Sequence, residues 1–160
     1  MTKEEMRAVA ERHVAAENAG DVAGALATYH PDCFYENAAL GVRFVGPDAV
    51  AMQYGALFSA LPDAELEEDG TAYGDNVFTH WGTFRGTVSG EFLGLPPTGR
   101  RIAIPFAAIF YFKDGLMEGE RVFFDLATFC EQASLSVGAV QAAAQSLRAA
   151  MSESVSAIAG

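Results

Sequence analysis

Apolar positions in this chain follow two rhythms. Near the N-terminus Met6, Val9, His13, Val14 and Ala16 recur at helical spacing, and Thr2 with Glu5 three residues later has the spacing of a capping box. Gly20-Asp21 ends that helix and starts a second, which turns Val22, Leu26 and Tyr29 inward until His30-Pro31-Asp32 stops it. Short strands are predicted at 33–37 and 43–45. A third helix opened by Gly46-Pro47-Asp48 carries Val50, Tyr54, Leu57, Phe58 and Leu61. The period then drops to two, predicting strands at about 64–73, 76–88, 100–113 and 116–124. Asp114-Gly115 is a hairpin signal, and connections this short make the neighbouring strands antiparallel. After Asp125 helical spacing resumes, breaks near Ser134 to Gly138, and continues as a stripe of Val137, Val140, Ala144, Leu147, Met151 and Val155.

Three helices, a long antiparallel sheet and a C-terminal helix predict an α+β fold, a curved sheet wrapped around helices as a cone with a cavity between them. Residues 1–135 form the cone domain. Residues 136–160 are an extension whose stripe must be covered, either by folding over the mouth of the cone as a lid or by packing on a partner chain.

Composition narrows this picture. Hydrophobic residues make up 51% of the 160, with 12 Phe, enough to bury a core and still line a pocket. The net charge of −11 argues against nucleic acid or an anionic membrane as partner. The acidic run Glu65, Glu67, Glu68, Asp69 reads as a solvated face. Cys33 and Cys130 make no disulfide framework, and the N-terminus carries no apolar leader, so a reduced, cytoplasmic setting is expected. No run approaches the 18 apolar residues of a membrane span.

The chemistry centres on Asp125, set among Phe123, Phe124, Leu126 and Phe129. Lost hydration there would raise its pKa and suit it to proton transfer, but an Asp directly before a helix is equally a favoured N-cap. By period two Arg121, Phe123 and Asp125 share one face of their strand, while Glu120, Val122 and Phe124 share the other. Arg121 could hold a carboxylate or enolate oxygen, or pair with a neighbouring acid. His80 and Trp81 point to opposite faces, so one of them should reach the cavity, His80 as a proton-transfer or carbonyl-orienting group and Trp81 as a flat wall. Tyr35, Tyr54, Phe58, Phe84, Phe106 and Phe123 are candidates for an apolar lining, with Tyr54 and Phe58 one helical turn apart. No set of His, Cys and carboxylates has metal-ligand spacing, and no phosphate loop or nucleophile elbow is present, so neither metal nor cofactor is expected.

Two segments, GTVSGEFLGLPPTGRR at 86–101 and ERVFFDLATFCEQ at 120–132, resemble the SnoaL-like polyketide cyclase group of the nuclear-transport-factor-2-like superfamily. The resemblance covers most of residues 1–135 and implies the cone fold, no cofactor and a homodimer joined through the open sheet face. It also implies that Asp125 is the acid/base of an intramolecular aldol closure on an aromatic polyketide ester. The chain departs from the group in two places: where the group carries Gly-Thr-His-Thr-Gly, with the His in the substrate site, this chain has Gly86-Thr87-Val88-Ser89-Gly90, and where the last motif often ends Gln-Leu-Gly it has Gln132-Ala133-Ser134. Three readings follow from the residues: an acid/base cyclase or ketone isomerase, a non-catalytic binder of a small apolar molecule, and an epoxide hydrolase needing a second acid such as Glu36 or Glu91.

Overall fold

A computed structural model describes the backbone of residues 1–158 and the side chains of residues 1–152. Helix α1 (Lys3–Asn18) begins with the full capping box. The Thr2 hydroxyl accepts from the Glu5 amide, and the Glu5 carboxylate accepts from the Thr2 amide. Helix α2 (Val22–Leu26) is a single turn capped by Asp21. The expected second helix is thus shorter than its apolar spacing suggests. Tyr29 already belongs to strand β1 (Tyr29–Asn37), whose register slips between Tyr29 and Phe34, around Pro31. Strand β2 (Val42–Val45) and helix α3 (Pro47–Ala60) follow, and then β3 (Glu65–Gly74), β4 (Val77–Thr87), β5 (Arg101–Lys113) and β6 (Leu116–Phe124).

The six strands form one sheet in the order β2-β1-β6-β5-β4-β3. All pairings are antiparallel except β1 with β6, which is parallel. Alternation across β4, β5 and β6 sets the two faces. Phe78, Phe110 and Glu120 share one row of register, and His80, Ala108 and Val122 the next, all turned towards α1 and α3. Trp81, Ala107 and Phe123 share a row on the opposite face. Curvature has local causes. A side chain at Gly82 would collide with the Glu67 carbonyl where β3 bulges, and one at Gly119 would enter the Phe34 ring.

Helix α4 (Leu126–Ala133) ends at Ser134, which adopts φ 55°, and α5 (Val137–Ile158) follows. In the extension Val140 and Ala144 are fully buried, Leu147 and Met151 are packed against the core, and Val137 is exposed. Arg148 donates to the Leu40 carbonyl between β1 and β2. The described part of the stripe is therefore covered by this chain's own α4 and β2; the Val155 side chain lies outside the described residues. Among the described helices none is long and apolar enough to cross a membrane.

Candidate active site

The helices and the inner sheet face enclose a cavity of about 130 Å³. Its walls are apolar, with Tyr35 from β1, Leu57, Phe58 and Leu61 from α3 and its end, Phe84 from β4, Ile104 and Phe106 from β5, and Val122 and Phe124 from β6. The β4–β5 loop supplies Phe92 and Leu93, and α4 supplies Phe129. The polar side chains on the wall include Glu17, Glu120 and His80, with Glu65 and Glu91 exposed at the edge. Among the described residues no Lys or Arg lines the cavity.

Behind that wall is a buried polar cluster. His13 and Glu17 sit four residues apart on the inward face of α1, and Glu120 reaches them from β6. His13 Nε2 lies 3.5 Å from Glu17 Oε1 and 3.6 Å from Glu120 Oε2. Glu120 Oε2 accepts from the Tyr54 hydroxyl at 2.8 Å and from the Tyr29 hydroxyl at 2.9 Å. His13 Nδ1 stands 2.8 Å from Thr28 Oγ1, whose own proton goes to the Ala25 carbonyl at 2.6 Å. Nδ1 is therefore a donor. His13 Nε2 stands 3.0 Å from the Tyr54 oxygen, and with the Tyr54 proton given to Glu120 it too is a donor. A ring that donates from both nitrogens is an imidazolium.

The electrostatics agree. Burial disfavours the imidazolium, but the Glu17 and Glu120 carboxylates outweigh it and hold His13 at about 10. Burial pushes Glu120 up, yet the hydrogen bonds and charge of His13 and the two tyrosines bring it below its ordinary value. Glu17 goes the other way. Burial and the Glu120 charge raise it more than His13 lowers it, and its Oε2 is buried with no hydrogen-bond partner among the described residues. Two carboxylates with oxygens within 4.8 Å of each other thus have their titrations pushed in opposite directions, a pattern of acid/base sites.

His80 is 1% exposed, and neither ring nitrogen has a hydrogen bond among the described residues. It is wedged among Phe78, Phe106 and Phe110, with ring centroids 5.7, 5.2 and 4.9 Å away. Burial lowers its pKa, so it is neutral near pH 7. Leaving such a polar group unpaired costs roughly 1–3 kcal/mol.

The remaining sequence candidates divide by face. His80, Tyr35, Phe58, Phe84 and Phe106 line the cavity, and Tyr54 stands behind it as a Glu120 donor. Asp125 does not reach the cavity. It is exposed, its Oδ1 accepts from the Thr128 amide at 2.6 Å, and that bond depresses its pKa. It caps α4. Arg121 lies on the outer face, where its Nη2 and Arg43 Nη1 both donate to Glu36 Oε2 at 3.1 Å. Trp81 and Phe123 are on that outer face too, at 42% and 39% exposure. Val88 is fully buried outside the cavity wall, its amide bonded to the Arg100 carbonyl. Gln132 explains the spacing that follows Asp125. Its side chain accepts from the Ala103 amide at 2.7 Å and donates to the Ala103 carbonyl at 3.1 Å, which pins α4 to a stretch of β5 that β6 does not reach.

The period-two pattern separated the two faces of β6, and the aromatic neighbours of Asp125 drew attention to the face away from the cavity. Glu120 shares its face with Val122 and Phe124, and Glu17 shares the α1 stripe with Val9 and His13. A carboxylate in register with an apolar stripe was the available signal, and in both elements it marks a group facing the interior.

Residues 7–133 match the family model described as SnoaL-like polyketide cyclase. No curated protein matches the chain in sequence. Solved structures share its fold. A candidate SnoaL-like polyketide cyclase of Jannaschia sp. CCS1 superposes with a TM-score of 0.76 at 18% identity, covering 83% of this chain and 94% of the other. TsrD of Streptomyces laurentii gives 0.74 at 24%, covering 85% and 99%. A Catenulispora acidiphila DSM 44928 protein of ketosteroid isomerase-like fold, in complex with trimethylamine, gives 0.71 at 12%, covering 81% and 95%.

Proposed function

The chain belongs to the SnoaL-like polyketide cyclase family, and we propose that it is a cofactor-independent acid/base enzyme acting on a small hydrophobic carbonyl compound, with Glu17 as the proton carrier. The observation that carries this is the Glu17 carboxyl, 8% exposed, on the wall of an apolar cavity with one oxygen unpartnered. Burial and the Glu120 charge raise its pKa above the ordinary carboxylate value, which makes it a stronger base than an exposed Glu. As carboxylate, Glu17 takes a proton from the carbon beside a carbonyl, and the C–H electron pair becomes an enolate. The enolate then either attacks a second carbonyl of the same molecule, forming a C–C bond and an alkoxide, or is reprotonated at another carbon. The proton on Glu17 returns to the alkoxide or carbon, so nothing is consumed. Glu120, His13, Tyr29 and Tyr54 do not move protons to substrate in this scheme. They fix the field in which Glu17 titrates. The trimethylamine bound to the Catenulispora protein supports a small-molecule site in this fold.

Asp125, the position matching the family's acid/base, is an exposed helix cap here. That observation favours a second reading, a binder of an apolar molecule without turnover. Deuterium uptake at the α-carbon of a ketone probe in D₂O separates the two. The wild-type protein should accelerate uptake into acetophenone above buffer, and Glu17→Gln should abolish the acceleration while ketone binding persists. Binding without any acceleration leaves the binder. An acceleration that vanishes in Asp125→Asn and survives in Glu17→Gln would return the chemistry to Asp125.

The row Trp81, Ala107 and Phe123 forms an apolar strip across three strands of the open sheet face. We assign it to a second copy of the chain, in a homodimer joined face to face.

A further inference from the structure

We infer that His80 grips the carbonyl oxygen of the ligand, and that the site selects an uncharged carbonyl compound over a carboxylate. The inference rests on reading the cavity as the ligand site and adds what the site selects. Two independent observations support it.

The first is the state of His80. It is buried on the cavity wall, with Phe78, Phe106 and Phe110 around it and neither nitrogen bonded within the described residues. Glu68 Oε2 is the nearest acid, 3.7 Å from Nδ1 and outside hydrogen-bond reach. A neutral imidazole offers one N–H and one acceptor. An apolar side chain would fill this aromatic corner without leaving polar atoms unpaired, so the imidazole has a use only when something in the cavity meets it. A carbonyl oxygen meets the N–H. His80 stands one register row from Glu120 along β4, β5 and β6, on the same face of the sheet, so an oxygen held there keeps its adjacent carbons within the acidic side of the cavity.

The second is the charge of the wall. Glu17, Glu65, Glu91 and Glu120 line it, and no Lys or Arg among the described residues does. Of the nearby cations among the described residues, His13 is engaged with Thr28, Tyr54 and the two glutamates, and Arg7 is paired with Glu11 and Glu68. A carboxylate ligand would enter a field of its own sign with no donor cation to meet it.

The test uses three probes of one shape, titrated by ligand-observed NMR: acetophenone, α-methylstyrene (the same skeleton with CH₂ in place of oxygen) and benzoate. A cavity of about 130 Å³ suits a single-ring probe. Acetophenone should bind on the order of tenfold or more tighter than α-methylstyrene, with benzoate weakest. His80→Phe, which suits its aromatic neighbours, should bring the ketone-to-alkene ratio to about one and retain alkene binding. Acetophenone should also shift the His80 ring ¹⁵N signals of the wild-type protein, a readout that needs no variant. Equal binding of ketone and alkene, a ketone preference that survives His80→Phe, unmoved His80 signals, or benzoate as the tightest probe would each overturn the inference. If none of the probes binds, the inference falls together with the cavity reading itself, whereas parity of ketone and alkene removes only the role of His80.

Discussion

The Tyr54 hydroxyl gives its one proton to Glu120 Oε2 over 2.8 Å, and that bond fixes the charge of His13, which must then donate to the Tyr54 oxygen. Stability should follow. The folded His13 pKa of about 10 lies above its ordinary value of 6.5, so folding takes up a proton between them. The stabilisation is complete below the ordinary value and drains away as pH rises through about 10. Urea denaturation midpoints should decline over that alkaline window in the wild-type protein. His13→Gln should start lower and show a flatter alkaline limb.

Removing the other half of the cluster should be costlier than its size suggests. Glu120→Ala leaves the buried imidazolium with Glu17 as its one carboxylate partner among the described residues and deprives two tyrosine hydroxyls of their acceptor. A loss on the order of 3–5 kcal/mol is expected from broken buried pairs, measurable by denaturant titration. An unchanged midpoint would show that His13 is not charged in the folded protein.

Asp125 tests separately. If it serves as the α4 cap, Asp125→Ala should lower Tm by a few degrees, and Asp125→Asn should restore it, because Asn caps as well as Asp. Neither substitution should alter ligand affinity.

Gln132→Ala should cost about 1–2 kcal/mol, since it frees both the amide and the carbonyl of Ala103 on the edge of β5 that β6 does not reach. Hydrogen exchange at the Ala103 amide should rise more than at neighbouring β4–β5 ladder amides. A uniform rise across the ladder would mean a global effect and not a local clamp.

The outer apolar row makes a prediction about assembly. Trp81→Glu with Phe123→Glu should leave circular dichroism and ligand binding intact and convert a dimer to a monomer in sedimentation velocity. A wild-type monomer at all concentrations would remove the homodimer.

Much of the fold was legible because it is written in local periods. The four long strands predicted at about 64–73, 76–88, 100–113 and 116–124 compare with Glu65–Gly74, Val77–Thr87, Arg101–Lys113 and Leu116–Phe124. Thr2 with Glu5, and the break at Ser134, were signalled by local capping and turn chemistry. The site was less legible for a physical reason. His13, Glu17 and Glu120 come together only through the pairing of β1 with β6 and the packing of α1 against that sheet, neither of which leaves a local pattern. Asp125 carried a clear local signal, and that signal belongs to the helix it caps.

The parallel pairing of β1 with β6 has a consequence for biosynthesis. β1 leaves the ribosome before the other strands of the sheet, yet its inner neighbour β6 is the last of the six made, and Glu120 arrives more than a hundred residues after His13. Until β6 emerges, a nascent chain holds α1 with His13 and Glu17 lacking their partner, and β1 with one edge bare. The charge cluster can therefore close only once β6 has been made, and until then the bare edge of β1 is open to mispairing.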